Sequence, residues 1–342
     1  MVQLHDRRPA EVDADASVRG WTVLGIAGGV FAAGVGAVVV SRWWTGTGYT
    51  SAPAGLPDPG PLTAIALPVV HLACDGAGML VAGLLLVSVL AQPVRASGDR
   101  KLAVLAARWS WVWAGSTLAW IVFTMSDMTG LSVTALPSSP DLLVVVLGTQ
   151  RILAQVVTLW IAVAVALYAG RVSGSVGTAA VGCLALVALL PSALSGHAGH
   201  HNETTLTVAA LAVHILAAAL WVGGLLAVVL YLRDQPDRLA VVLPRFSAVA
   251  LLCAVAVAVS GVIVSVVLLG SWAALTGSNR GHLIALKGAC LTLLVMIGYW
   301  HRCRTVGPAT RGTVRPLLRL AGVEVLLMGA TVGLAVTLST TA

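Results

Sequence analysis

The chain has 342 residues, 58% of them hydrophobic and only 10% charged, with a mean hydropathy of +0.95. A water-soluble core cannot use that much apolar surface, and most of the chain falls into apolar runs of about 20 residues, the length that crosses the hydrocarbon of a bilayer. That leaves no room for a soluble nucleotide-binding domain, no glycine-rich phosphate fingerprint is present, and the net charge of +7 reports membrane topology instead of nucleic-acid binding.

Residues 1–20 hold Asp6, Arg7, Arg8, Glu11, Asp13 and Asp15 ahead of the first apolar run, a pattern expected of a short cytoplasmic tail and not of a cleaved signal peptide. Apolar windows then predict nine spans, near 22–41, 64–91, 104–125, 145–169, 177–196, 206–232, 246–270, 282–301 and 318–338. The expected fold is therefore all-α, a polytopic transmembrane helical bundle. Cys74, Cys183, Cys253, Cys290 and Cys303 are scattered and odd in number, so no structural disulfide is expected.

Basic residues crowd one side of this arrangement. Arg95, Arg100, Lys101 and Arg108, then Arg171, then Arg233, Arg238 and Arg245, then Arg302 to Arg319 alternate with loops that hold only Arg42, Arg151 and Arg280. The excess predicts a cytoplasmic N-terminus and an external C-terminus.

Helices two to five can be laid over helices six to nine. His71 pairs with His214 at an offset of 143, Arg108-Trp109-Ser110 with Arg245-Phe246-Ser247 at 137, and Gly148 to Gln155 with Arg280 to Lys287 at 132. Four spans per unit preserve orientation, so the pattern points to a parallel internal repeat with sites at its interface. The expected organisation is a tail over 1–20, a first helix and outer loop over 21–62, a first four-helix unit over 63–200 and a second over 201–342.

Ionisable groups inside spans are costly and mark functional sites by default. Counted from the outer surface, His71 and His214 lie about 10–12 Å deep, with Asp75 and Lys287 within roughly a turn of that layer. His71, Cys74 and Asp75 stand at i, i+3 and i+4 and so share one helix face. His197, His200 and His201 crowd the end of the fifth span, and Met125 and Met128 add thioethers on the outer side. Imidazole, thioether and thiolate suit copper better than magnesium or calcium, and zinc also satisfies the ligand types. The bland alternatives stand beside this: a lone intramembrane histidine serves as an interhelical hydrogen bond, Cys74, Met125 and Met128 as packing, and the histidine trio as a solvated tract. Lys287, Glu324 and Arg151 are further intramembrane polar groups; Lys287 in the outer third and Glu324 in the inner third are not expected to pair.

The stretch Leu194-Ser-Gly-His197-Ala, followed by His214-Ile-Leu-Ala-Ala-Ala-Leu-Trp221-Val-Gly-Gly224, resembles the signature of the copper resistance protein D (CopD) family. Arg245-Phe-Ser247, Gly281-His to Lys287 and Arg315-Pro to Glu324 are similar to that family's C-terminal domain. The resemblance implies a membrane protein that handles copper from the outer side, without enzymatic activity, with His197 and His214 as copper-site candidates and a separate extracytoplasmic copper-binding protein as donor. The rival readings are a b-type cytochrome, with haem held axially by His71 and His214, and an assembly factor that delivers copper to an oxidase. The oligomeric state is not legible, and no nucleic-acid partner is expected.

Overall fold

Pro9, Pro61 and Pro236 stand in the first turns of three of the longest helices, where a missing backbone N–H costs nothing. The computed structural model describes residues 9–46, 57–92, 99–140, 142–191, 205–269, 272–304 and 315–340. Its helices are α1 (Pro9–Thr45), α2 (Gly60–Leu90), α3 (Asp99–Thr129), α4 (Leu142–Gly148), α5 (Gln150–Tyr168), α6 (Ser175–Val187), α7 (Thr205–Tyr231), α8 (Pro236–Leu269), α9 (Trp272–Gly277), α10 (Asn279–Arg304) and α11 (Arg315–Thr340). No β-strand occurs among the described residues, as an all-α membrane protein requires.

Seven helices, α1, α2, α5, α7, α8, α10 and α11, contain segments long and apolar enough to cross a membrane. The two other expected spans correspond to α3 and α6. At 31 residues α3 is about 46 Å long, but Trp109, Trp111, Trp113 and Trp120, with interspersed serine and threonine, dilute its hydropathy. The 13-residue α6 stops at Val187. Pro191, four residues on, has no N–H for the Val187 carbonyl and its ring crowds that oxygen. The expected span 145–169 is divided at Gly148-Thr149, where Thr149 is extended and separates α4 from α5.

Side-chain bonds sort the helix ends onto two faces. At the basic end, Trp109 Nε1 donates to the Tyr231 hydroxyl at 2.7 Å, and the Arg245 guanidinium donates to the Leu90 and Gln92 carbonyls at 2.6 Å. At the opposite end, Thr63 and Ser126 share a hydroxyl bond of 2.7 Å, Arg42 donates to the Ala64 carbonyl and Asn279 to the Thr45 carbonyl. With Trp109 at one end and Ser126 at the other, α3 traverses the bundle. The C-terminal ends of α2 and α7 meet at the basic end, so those two helices run parallel.

The core is centred on α2. Val81, Leu84 and Leu85 on α2, Trp113 on α3 and Val228 on α7 are fully buried in one continuous cluster. Backbones touch where α2 crosses α7: a Cβ on Gly83 would overlap the Gly223 carbonyl, and one on Gly223 the Met79 carbonyl. Small residues permit such close approach, which lipid-embedded helices use to gain packing. A second close pair joins α1 to α11, where Gly34 meets Gly329 and Gly333, and Ser41 shares a 2.7 Å bond with Thr337. These contacts advance together along both helices, so the first and last described helices are also parallel. On the outside, Leu251, Leu252, Val255, Val259 and Val262 of α8 are exposed, as lipid contact demands.

Candidate functional site

The α2/α7 crossing fixes the depth of both intramembrane histidines. Met79 touches Gly223; His71 precedes Met79 by eight residues and His214 precedes Gly223 by nine, which places the rings about 12 and 13 Å from the crossing on the same side.

His71 sits between α2 and α3. Its Nε2 faces Asp75 Oδ2 at 3.5 Å across one helical turn, with the Asp75 side chain partly exposed. The ring stacks on Trp120 of α3, centroids 4.0 Å apart and planes 15° from parallel. With Nε2–H donated toward the carboxylate, Nδ1 keeps the free lone pair. Cys74, one residue before Asp75, turns elsewhere: its sulfur lies 3.2 Å from Thr117 Oγ1, and Thr117 in turn donates to the Trp113 carbonyl at 2.8 Å. The expected convergence of His71, Cys74 and Asp75 is therefore divided between a His71–Asp75 pair and a thiol engaged with α3.

The wall of this site continues onto α5. Gln155 is fully buried and its Nε2 donates to Thr124 Oγ1 at 3.2 Å. Gln155 Oε1 and Trp120 Nε1 are both buried and have no hydrogen-bond partner. Arg151, one turn before Gln155, is the cation whose field reaches His71. Spacing alone singled out none of Thr117, Trp120, Thr124 and Gln155, although the first three recur at i, i+3 and i+7 on α3.

His214 sits between α7 and α8. Its Nδ1 is 3.1 Å from Ser260 Oγ. Ser260 spends its only proton on the Ala256 carbonyl at 2.5 Å, so Nδ1 of His214 donates and Nε2 keeps the lone pair. Lys287 stands on α10. Glu324 is buried on α11 beside Gly298, eleven residues, or about 16 Å by helix rise, beyond Lys287.

The remaining candidates are dispersed. Met125 is buried in a small apolar cluster with Ile121, Leu136 and Ile152, whereas Met128 is half-exposed at the end of α3. His197, His200 and His201 lie outside the described residues. His282, not singled out by the sequence, stacks over Trp44 at 6.3 Å and bonds the Thr276 carbonyl through Nε2 at the end opposite the basic one. Among the described residues, no three His, Cys, Asp or Glu side chains gather to hold a metal ion.

A lipid-embedded helical bundle with paired helix hairpins, each clasping one imidazole at equal depth, defines a polytopic membrane protein with a polar interior site. The family described as Copper resistance protein D matches residues 240–338, and the Copper resistance protein D-like N-terminal domain matches residues 62–205. The chain belongs to the copper resistance protein D family, whose members are membrane proteins of copper resistance. No curated protein and no solved structure matches it.

Proposed function

We propose that the protein carries copper across the bacterial plasma membrane, inward from the outer side, in the service of copper resistance and homeostasis. The observation that supports this reading is the pair of intramembrane imidazoles at equal depth, each with one ring nitrogen held by a partner and the other left with its lone pair. A hydrogen bond from one ring nitrogen to a fixed partner sets the tautomer and turns the other nitrogen toward a metal. Soft and borderline donors suit copper, the metal of the family.

In this reading the basic end is cytoplasmic, so the N-terminus is inside and the C-terminus outside. His197, His200 and His201 capture the ion at the outer surface, His71, Asp75 and His214 hold it within the membrane, and the two units over 63–200 and 201–342 rock against each other at the α2/α7 crossing. A separate extracytoplasmic copper-binding protein is the donor. Inward passage of one positive charge is favoured by about 2.3 kcal/mol per 100 mV of inside-negative potential, so no nucleotide hydrolysis is required.

Copper accumulation by cells that express the chain tests the proposal. Accumulation above the empty-vector level that is lost in His214→Ala, with the variant still in the membrane at normal abundance, is the expected result. Unchanged accumulation in that variant, or a Soret band in the purified protein that disappears with either histidine, overturns it.

A further inference from the structure

We propose that the protein encloses a water molecule between α3 and α5, bridging Trp120 Nε1–H to Gln155 Oε1, and that this water steadies the indole on which His71 lies. Two polar atoms carry the argument. Trp120 is 2% exposed and Gln155 is fully buried, and neither Trp120 Nε1 nor Gln155 Oε1 has a hydrogen-bond partner within the protein. An indole N–H only donates and an amide oxygen only accepts, so the two groups are complementary. Native interiors leave few such groups unsatisfied and meet them with ordered water where the chain itself does not.

Their neighbours bring the two atoms to one place. Gln155 Nε2 donates to Thr124 Oγ1 at 3.2 Å, and Trp120 stands one turn before Thr124 on α3, about 6 Å along the helix. Two hydrogen bonds of about 2.9 Å, bent at a shared water, span a gap of that order. A buried water takes about three bonds, and Thr124 Oγ1, with a second lone pair beside the amide, supplies the third partner. Ile121 and Met125 of α3 and Ile152 of α5 join in an apolar cluster next to this turn, which keeps the bridge out of contact with bulk solvent.

The chemistry of the pair selects the guest. A cation is drawn to Gln155 Oε1 but opposed by the indole hydrogen; an anion is drawn to that hydrogen but opposed by the amide oxygen and by the Asp75 carboxylate, which faces the His71 ring stacked on Trp120. A neutral molecule that both donates and accepts satisfies both groups. The site is therefore not an ion site, and it stands apart from the question of where copper is held.

The bridge bears on His71 through the stack, whose centroids are 4.0 Å apart with planes 15° from parallel. With its N–H tied to α5 through water, the indole is set by hydrogen bonds as well as by packing, and so is the face it offers to the imidazole. The second half of the sequence lacks both groups. The offset of 137 carries Trp120 onto Val257, and the offset of 132 carries Gln155 onto Lys287. There the ring of His214 is held by a direct bond to Ser260 Oγ. One half thus orients its imidazole by a side-chain hydroxyl, the other by a stacked indole and its water.

NMR of the full chain in detergent micelles, labelled with nitrogen-15 at tryptophan, reads the site. The indole resonance missing from Trp120→Phe identifies Trp120, and a cross-peak from its N–H to water is expected, with the sign of a bound water and not of chemical exchange. Gln155→Leu removes the acceptor at nearly constant volume and should abolish that cross-peak. The same variant should reduce the upfield ring-current shift that Trp120 imposes on the His71 ring protons, which are identified by their loss in His71→Ala. A crystal structure that resolves ordered water needs no substitution, and density within about 3 Å of both Nε1 and Oε1 is expected. A direct bond between Trp120 Nε1 and Gln155 Oε1, a dry contact, or no water cross-peak in the folded wild-type protein overturns the proposal. An unchanged His71 shift in a folded Gln155→Leu variant that has lost the water overturns the positioning role. Copper enters neither readout, so failure of the copper reading leaves this test standing.

Discussion

Replacing Gly83 with alanine places a methyl group against the carbonyl carbon and oxygen of Gly223 and the nitrogen of Gly224, all well inside the 3.0 Å that real Cβ contacts essentially never breach. These are backbone atoms, so no rotamer change relieves the clash, and the helices must part by about 1 Å or more to recover ordinary contact. Overpacking of this kind costs about 1–3 kcal/mol, and the rigid target puts Gly83→Ala near the upper figure. Because about 1.4 kcal/mol is a factor of ten, a loss near 3 kcal/mol lowers the folded-to-unfolded ratio roughly a hundredfold. Thermal unfolding in detergent, followed by the monodisperse fraction in size-exclusion chromatography, is the assay. Gly115 is the control, since a Cβ there meets nothing within 4 Å, and Gly115→Ala should be neutral or stabilising by up to about 1 kcal/mol through helix propensity. Equal midpoints for Gly83→Ala and the wild-type protein would refute the backbone contact between α2 and α7, and with it the depth assigned to the two histidines.

Ser260→Ala removes the acceptor that orients His214, and copper affinity at that site should fall about 10-fold to 100-fold in a competition titration while the fold persists. Trp109→Phe and Tyr231→Phe each delete one partner of the 2.7 Å bond at the basic end; a double-mutant cycle on thermal stability should return a coupling of about 1 kcal/mol, and zero coupling would contradict the bond. Cys303 is exposed at the end of α10, so a membrane-impermeant maleimide should label it only after cells are permeabilised, with Cys303→Ser as the blank; labelling of intact cells would invert the proposed orientation. Cys74→Ser keeps a hydroxyl within reach of Thr117, and copper accumulation should stay within about twofold of wild type; a larger loss would mean that the thiol leaves Thr117 to bind the ion.

The apolar runs made the helices legible because a bilayer demands some 20 apolar residues per pass. The breaks were less so. Gly148-Thr149 divides one expected span into α4 and α5; the polar dip Gly148-Thr149-Gln150-Arg151 lies there, but a window of about 20 residues averages over it. That His71 and His214 stand at a similar level along α2 and α7 was legible, since residue counts convert directly into rise along a helix. The direction each side chain takes was not. Cys74 shares a helix face with His71 and Asp75, yet Thr117 draws its thiol toward α3, a choice that depends on a neighbour 43 residues away. Gln155 and Trp120 likewise acquire meaning only when α3 and α5 close around α2. Family membership confirmed the resemblance read from Ser-Gly-His197-Ala and the His214 to Gly224 stretch.

The clasp between α1 and α11 bears on the order of assembly. Gly34 and Gly333 are separated by about 300 residues, and a ribosome adding ~5–20 residues per second needs roughly 15–60 s to bridge them. Throughout that interval α1 is in the membrane without its glycine-lined partner, and Ser41 waits for Thr337. The first helix made is thus among the last to be locked, and a chain that stalls before α11 leaves α1 an open face that quality control can recognise as unfinished.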